Sequence, residues 1–209
     1  MNYKCFDTNN DKWLVESVFK GKRNGIFIES GANTGEWESS TYVLEKEFGW
    51  TGYMFEPNLT SFNELIKIRN ATCINKALYD KECMLEFVET YNSGYSCIKS
   101  HIIDWKVDIN DIRHKHTIVD CISIPTFFKT YPCPTVIDLF ELDAEGTEDI
   151  ILSKFPFDTH RVNVFIVEES NTRSKDSLLK NNYIQVKNEF NTKCPWETYF
   201  FNKEFNYKL

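Results

Sequence analysis

Apolar residues along this chain come in short runs closed by turn residues, and the runs alternate between two spacings. Ile26, Phe27 and Ile28 form one compact run. Two glycines and small polar residues interrupt it over positions 29–35, and then Tyr42, Val43, Leu44 and Phe48 recur at helical spacing. The pattern predicts a strand at 26–28, a glycine turn and a helix over 36–48. It then repeats, with strands at 53–55, 71–78, 121–124, 135–142 and 161–167 and helices at 61–70, 125–129, 147–155 and 174–182. A weakly alternating piece at 84–88 adds an extended segment. Two last strands, 183–190 and 198–205, are joined by a turn at Pro195 and lie near enough to pair antiparallel. Upstream, Asn10 or Asp11 is placed to cap a helix reaching about position 20, with Leu14/Val18 and Val15/Phe19 each sharing a side. Residues 90–101 read as a polar loop near a strand end, and 102–120 as a solvated, variable stretch without a period. Strands alternating with helices predict a doubly wound α/β domain over 26–209, on which residues 1–25 pack as an N-terminal helix.

Composition narrows the function. Of 209 residues, 42% are apolar and 15% aromatic, enough for a large core. A formal charge of −7 disfavours a sequence-independent grip on nucleic acid, which needs a basic surface. Seven scattered cysteines, with no C-x-x-C, read as the reduced thiols of a cytoplasmic protein rather than a disulfide frame or zinc site. No apolar stretch approaches a membrane span, and Met1-Asn2-Tyr3-Lys4-Cys5 does not begin a signal peptide. The expectation is a cytoplasmic protein without nucleic-acid or membrane partners. The abrupt start makes it credible as one domain of a larger polypeptide.

Candidate chemistry gathers at the predicted strand ends. Strand, glycine turn and helix start at 26–36 is the arrangement that lets backbone N–H groups approach a ligand, although an ordinary βα turn uses glycine too. Glu56, followed by Pro57, lies roughly 20 residues beyond that turn, where a nucleotide-binding unit places the acceptor for ribose hydroxyls. Glu29, Glu56, Asp143 and Glu168 end successive strands and are expected to line one crevice. Such a concentration of negative charge is costly unless a cationic or hydroxyl-rich ligand compensates. S-adenosylmethionine is both. A phosphate-rich cofactor fits badly, because acids flank the turn and neither a P-loop lysine nor a G-x-G-x-x-G spacing is present. His114 and His116 have no third ligand at a suitable spacing.

At these residues the chain resembles the FkbM-type methyltransferases, a branch of the S-adenosylmethionine-dependent Rossmann-like enzymes. FIESGANTGE with Glu56-Pro57, INKALYD at 74–80 and LFELDAEGTEDIIL at 139–152 carry the resemblance. FIVEES and LLKNNYIQV support it, over roughly residues 26 to 190 in all. Glu29 stands where the family usually has Asp, and 102–120 departs from the family pattern. The resemblance implies a Rossmann-like, mostly parallel seven-stranded sheet with helices on both faces and a C-terminal antiparallel hairpin. It implies that Glu29, Gly31, Ala32, Asn33 and Gly35 hold the methionine end of the cofactor. Glu56 with Pro57 takes the ribose, and Asn75 to Ala77 border the adenine. Asp143 and Glu145 lie beside the transferred methyl, with Glu168 opposite. Asp143 is the first choice as general base and Glu168 the second; the competing role for Asp143 is to position the cofactor ammonium or the substrate hydroxyls. No metal is expected, the alternative being a divalent ion held by Asp143, Glu169 and Asn171. The implied activity is O-methylation, with a carbohydrate hydroxyl as the expected acceptor. A small natural product, an RNA ribose or a non-catalytic binding module are the alternatives.

Overall fold

The computed structural model describes residues 10–102, 114–168, 171–188 and 196–207. Its strands are β1 (Ile26–Ser30), β2 (Thr51–Phe55), β3 (Thr72–Ile74), β4 (Ala77–Tyr79), β5 (Cys83–Glu89) and β6 (Cys97–Ile98), followed by β7 (Lys115–Ser123), β8 (Val136–Leu142), β9 (Arg161–Glu168), β10 (Tyr183–Val186) and β11 (Glu197–Asn202). Helices are α1 (Tyr42–Phe48), α2 (Leu59–Ile68), α3 (Ile124–Thr130), α4 (Glu148–Leu152) and α5 (Thr172–Lys180). A seven-stranded sheet runs β10-β11-β9-β8-β1-β2-β3, parallel except at β11, which lies antiparallel to both β9 and β10. This is the doubly wound, Rossmann-like α/β architecture expected, with its closing hairpin. Among the described residues no helix is long and apolar enough to cross a membrane.

Both faces of the sheet are apolar, as strands buried on two sides require. On one face Ile28, Phe55, Phe140, Leu142, Phe165 and Val167 pack beneath Phe127 of α3, Ile151 and Leu152 of α4, and Leu178 of α5. On the other, Phe27, Met54, Leu139, Val164, Ile166 and Phe201 meet Leu44 of α1, Leu65 of α2, and Trp13 and Leu14 of the N-terminal helix. Asp138, which interrupts the apolar run of β8, accepts hydrogen bonds from Ile26 N at 3.1 Å, Lys22 Nζ at 2.6 Å and Asn163 Nδ2 at 3.1 Å. It ties off the sheet at the end remote from the acidic strand tips.

Four elements differ from the periodicity. The run at 71–78 is two strands, because a tight turn (Lys76 N to Ile74 O, 2.9 Å) sends β3 into the large sheet and β4 into another. That second sheet, β4-β7-β5-β6, includes a nine-residue strand, Lys115–Ser123, which extends the strand expected at 121–124 back into chain expected to be solvated and irregular. Its residues up to Ile118 are exposed or half-buried, so they carry no apolar alternation to read. The helix expected from position 36 starts only at Tyr42, since Glu38 sits at φ 60° and the hydroxyls of residues 39–41 serve buried carboxylates instead. The N-terminal helix is a π-helix, Trp13–Val18. Asn10 is buried and spends its side chain on Ser40 and Glu197, both at 3.1 Å, rather than on a helix cap. The expected Pro195 turn lies outside the described residues.

One side chain joins the elements around the glycine turn. Arg69, at the end of α2, has a side chain with 0% exposure. Its Nε donates to Glu45 Oε2 (3.0 Å), Nη1 to Gly35 O and Ser39 Oγ (both 3.0 Å), and Nη2 to Thr41 Oγ1 (2.7 Å), while Nη1 lies 3.7 Å from Glu29 Oε2. Burial works to raise the Glu45 carboxyl, but Arg69 and the Asn70 N–H outweigh it and hold Glu45 below its ordinary range. Removing one member of such a group leaves the others buried and uncompensated, at a cost of about 3–5 kcal/mol. Arg69→Met is therefore expected to lower unfolding free energy by about that amount in urea titrations. Arg69→Lys should recover only part of it, because an ammonium cannot span four acceptors in a plane.

Candidate functional site

The tips of β1, β2, β8 and β9 and the start of β11 surround a cavity of ≈360 Å³, with β5, β6 and the 92–96 loop of the second sheet forming its far wall. A volume of this size suits a small-molecule ligand. Its position, outside the carboxyl ends of parallel strands, is where open α/β sheets bind ligands.

The glycine turn forms one wall. Gly31 N and Ala32 N donate to Phe55 O at 3.0 and 3.1 Å, fastening the turn to β2. Gly31 has φ +80°, and a Cβ there would stand 2.0 Å from the Asp143 carbonyl oxygen. Only glycine lets the tips of β1 and β8 meet in this way. Glu56 Oε2 accepts from Asn33 N and Oε1 from Asn58 N, both at 2.7 Å. Burial pushes its carboxyl up to about 7 against the pull of these two N–H groups.

Beneath the turn, Glu29 and Glu141 are register neighbours on β1 and β8, both buried. Glu29 is met by Ser39 Oγ at 3.2 Å, by the Thr41 hydroxyl and by Arg69; Glu141 accepts from Ser40 Oγ at 2.6 Å and Ser40 N at 3.3 Å. Burial raises the Glu29 carboxyl despite Arg69. The segment between the glycine turn and α1 is thus a lid of hydroxyls on two adjacent acids.

Opposite stands a cluster of acids. Oxygens of Asp143, Glu145 and Glu168 lie within 4.8 Å of one another, close enough to take one divalent cation between them. Burial, and then the neighbouring Glu168 charge and hydrogen bond, drive the Asp143 carboxyl well above the ordinary carboxylate range. Glu148 holds the loop beneath them, accepting from Ala144 N at 2.9 Å and Gly146 N at 3.2 Å, and burial pushes it up to about 7.

Of the residues expected to hold a cofactor, Glu29, Gly31, Ala32 and Asn33 line the cavity, as do Glu56, Pro57, Ala77 and Asp143. So do Glu145 and Glu168. Gly35 and Asn75 do not. Gly35 faces α2, where a Cβ would lie 2.4 Å from Leu65 Cδ1, and Asn75 Nδ2 donates to the carbonyls of Glu56 at 2.8 Å and Pro57 at 3.1 Å. Glu169 lies outside the described residues, and Asn171 Oδ1 is committed to Ser174 N at 3.0 Å, capping α5. Trp37, Glu38, Glu141, Trp196 and Glu197 line the cavity without having been expected to. Glu141 alone left a trace, as a carboxylate inside an apolar strand.

The model of the FkbM methyltransferase domain matches residues 29–202. No curated protein matches the chain. Methyltransferase FkbM from Methylobacillus flagellatus KT superposes with a TM-score of 0.51 at 13% identity, over 89% of this chain and 47% of that one. The chain therefore spans about half that relative's length, and the likeness bears on fold alone. A candidate rRNA methylase from Clostridium thermocellum (11% identity, TM-score 0.46, 96% of this chain and 97% of that one) is similar only loosely. So is M. jannaschii TYW2, solved in complex with AdoMet (13% identity, TM-score 0.42, 96% and 75%).

The raised carboxyls set a pH dependence. Glu56 and Glu148 each move from 4.5 to about 7, so the folded state binds their protons more tightly than the unfolded chain. Their contribution to stability is complete below about pH 4.5 and is lost as pH rises through about 7, at roughly 3 kcal/mol per group. Glu45, held low, stays ionised over this window and adds no slope. Thermal melts of the ligand-free protein should accordingly give a higher midpoint at pH 5.5 than at pH 8. Glu148→Gln should narrow that gap; equal slopes in the two proteins would contradict the assignment.

Proposed function

The chain belongs to the FkbM methyltransferase domain family, and we propose that it is an S-adenosylmethionine-dependent O-methyltransferase acting on a sugar hydroxyl of a glycan. One observation carries the reading: a cavity walled by the glycine turn on one side and by three convergent carboxylates on the other. The donor set suits this cofactor. Carboxylates offset its ammonium and sulfonium, and the absent Cβ at Gly31 lets the glycine turn close against the Asp143 strand tip, so that both border one cavity. When bound, S-adenosylmethionine supplies a methyl group by in-line displacement at its sulfonium carbon.

The residues divide the work as follows. Gly31, Ala32 and Asn33 border the methionine end. Glu56 keeps one lone pair on each oxygen for the ribose diol, its others being held by Asn33 N and Asn58 N. Pro57 and Ala77 flank the base. Gly35 and Asn75 act at one remove, through Arg69 and the Glu56-Pro57 carbonyls. Asp143 takes the proton of the acceptor hydroxyl, with Glu168 and Glu145 tuning and orienting it. Placing reactants in line contributes much of the acceleration, and a positioned base a further 10²–10⁴-fold or so.

S-adenosylhomocysteine should bind in calorimetry, and labelled S-adenosylmethionine should transfer its methyl to saccharides. Asp143→Asn should lower kcat by about 10²–10⁴-fold while leaving S-adenosylhomocysteine bound. No binding removes the enzyme reading; binding without transfer to any hydroxyl acceptor favours a non-catalytic module. The 4.8 Å convergence of Asp143, Glu145 and Glu168 favours a second reading, a divalent cation at the acceptor. Turnover that survives chelation by EDTA rules for the acid–base assignment.

A further inference from the structure

The strand pairing of the second sheet brings together two thiols that stand far apart in the chain. Cys83 opens β5 and Cys121 lies near the end of β7, and the two are direct register partners in that antiparallel pair. Both are free thiols. Residues opposite one another across an antiparallel pair have side chains on the same face and Cα atoms about 4.5–5.5 Å apart. A disulfide needs a Cα separation of about 4.4–6.8 Å, so the backbone already meets its first requirement. The side chains meet the second, since the two thiols are hydrogen-bonded to each other. Among the described cysteines no other pair shares a register position. Cys73 faces Met54 and Cys97 faces Val88, while Cys133 lies outside the strands.

The surroundings give each sulfur a different part. Cys121 is 1% exposed and packs with Ala77, Phe87, Ile98 and Val119 in the small core of the second sheet. Burial pushes its thiol up to about 12, and the neighbouring Cys83 adds to the rise, so Cys121 stays protonated and shielded from dissolved reagents. Cys83 packs against the same core but is half-buried, within reach of a small oxidant. An accessible sulfur backed by an enclosed one is the layout in which the first is oxidised and the second resolves it. Ala77, Phe87 and Ile98 of that core also line the cavity, so the pair stands directly behind the cavity's far wall.

We propose that Cys83 and Cys121 are an oxidation site, a dithiol that a hydroperoxide closes to a cross-strand disulfide. In the first step the Cys83 sulfur attacks an oxygen of hydrogen peroxide, the O–O bond breaks, and a sulfenic acid and one water form. In the second, the Cys121 sulfur attacks the Cys83 sulfur. The S–S bond forms, the S–O bond breaks, and the hydroxide leaves as water with the Cys121 proton. The two thiols together give up two electrons, and one peroxide becomes two waters. A dithiol reductant reverses the change by exchange. The bond fixes β5 on β7 in their register, and with them the wall that Ala77, Phe87 and Ile98 give the cavity. None of this depends on the proposed methyltransferase function.

The test treats the folded full chain with hydrogen peroxide, blocks the remaining thiols with N-ethylmaleimide and maps the peptides by mass spectrometry without reduction. The expected product is a Cys83–Cys121 cross-link, two hydrogens lighter than the parent peptides, that dithiothreitol removes. Because the bond also closes the 83–121 loop in the unfolded chain, the oxidised protein should melt about 5–15 °C higher than the reduced protein. Cys83→Ser, at a half-buried position, should lose both the cross-link and the rise, and should leave Cys121 unmodified by peroxide. Several results each overturn the proposal: Cys83 carried on to sulfinic acid without a cross-link, a link from either cysteine to a different one, or a Cys83–Cys121 link that forms only in urea or lowers the melting midpoint. Binding of S-adenosylhomocysteine to the reduced protein, measured separately, bears on the proposed function and leaves this outcome untouched.

Discussion

A guanidinium enclosed by protein is what allows this fold to carry acids at its strand tips. Arg69 reaches the carbonyl of Gly35, two hydroxyls, Glu45 and Glu29 from one planar group. The contacts come from four pieces of chain: the glycine turn, the segment before α1, α1 and β1. The ring faces of Phe27 and Tyr42 lie 5.5 and 5.6 Å from it. No set of apolar side chains would do the same, because the partners are polar groups that burial would otherwise leave unsatisfied. The guanidinium converts the apolar face beneath the cavity into a rigid floor, on which the glycine turn keeps one geometry.

The carboxylates fall into two classes under that constraint. Glu29, Glu56, Glu141 and Glu148 are acceptors for the protein itself, and they fix loops whose backbone lines or supports the cavity. Asp143, Glu145 and Glu168 converge within 4.8 Å of one another, and burial together with the Glu168 charge raises the Asp143 carboxyl. The first class sets shape, and the second is the group the proposed function assigns to the reaction. Deleting a carboxylate of the first class perturbs folding, whereas deleting one of the second relieves repulsion. Their variants therefore separate by stability before any activity is measured.

How far this was readable in the sequence follows from what each feature depends on. The central β1, its glycine turn and Glu56 were legible because they are local, with short spacings and residue types that backbone geometry demands. Most of the lining acids were legible by the same route, since strand ends can be counted from apolar runs. Arg69 was not, because it sits at the end of an ordinary amphipathic helix and its five partners are scattered over forty-odd residues of chain. The second sheet escaped because β7 is solvated along its first half, and the break between β3 and β4 falls inside one apolar run. Asn10 was read as a helix cap, a local role. Its actual partners, Ser40, Asn188, Glu197 and Tyr199, come from the far end of the chain.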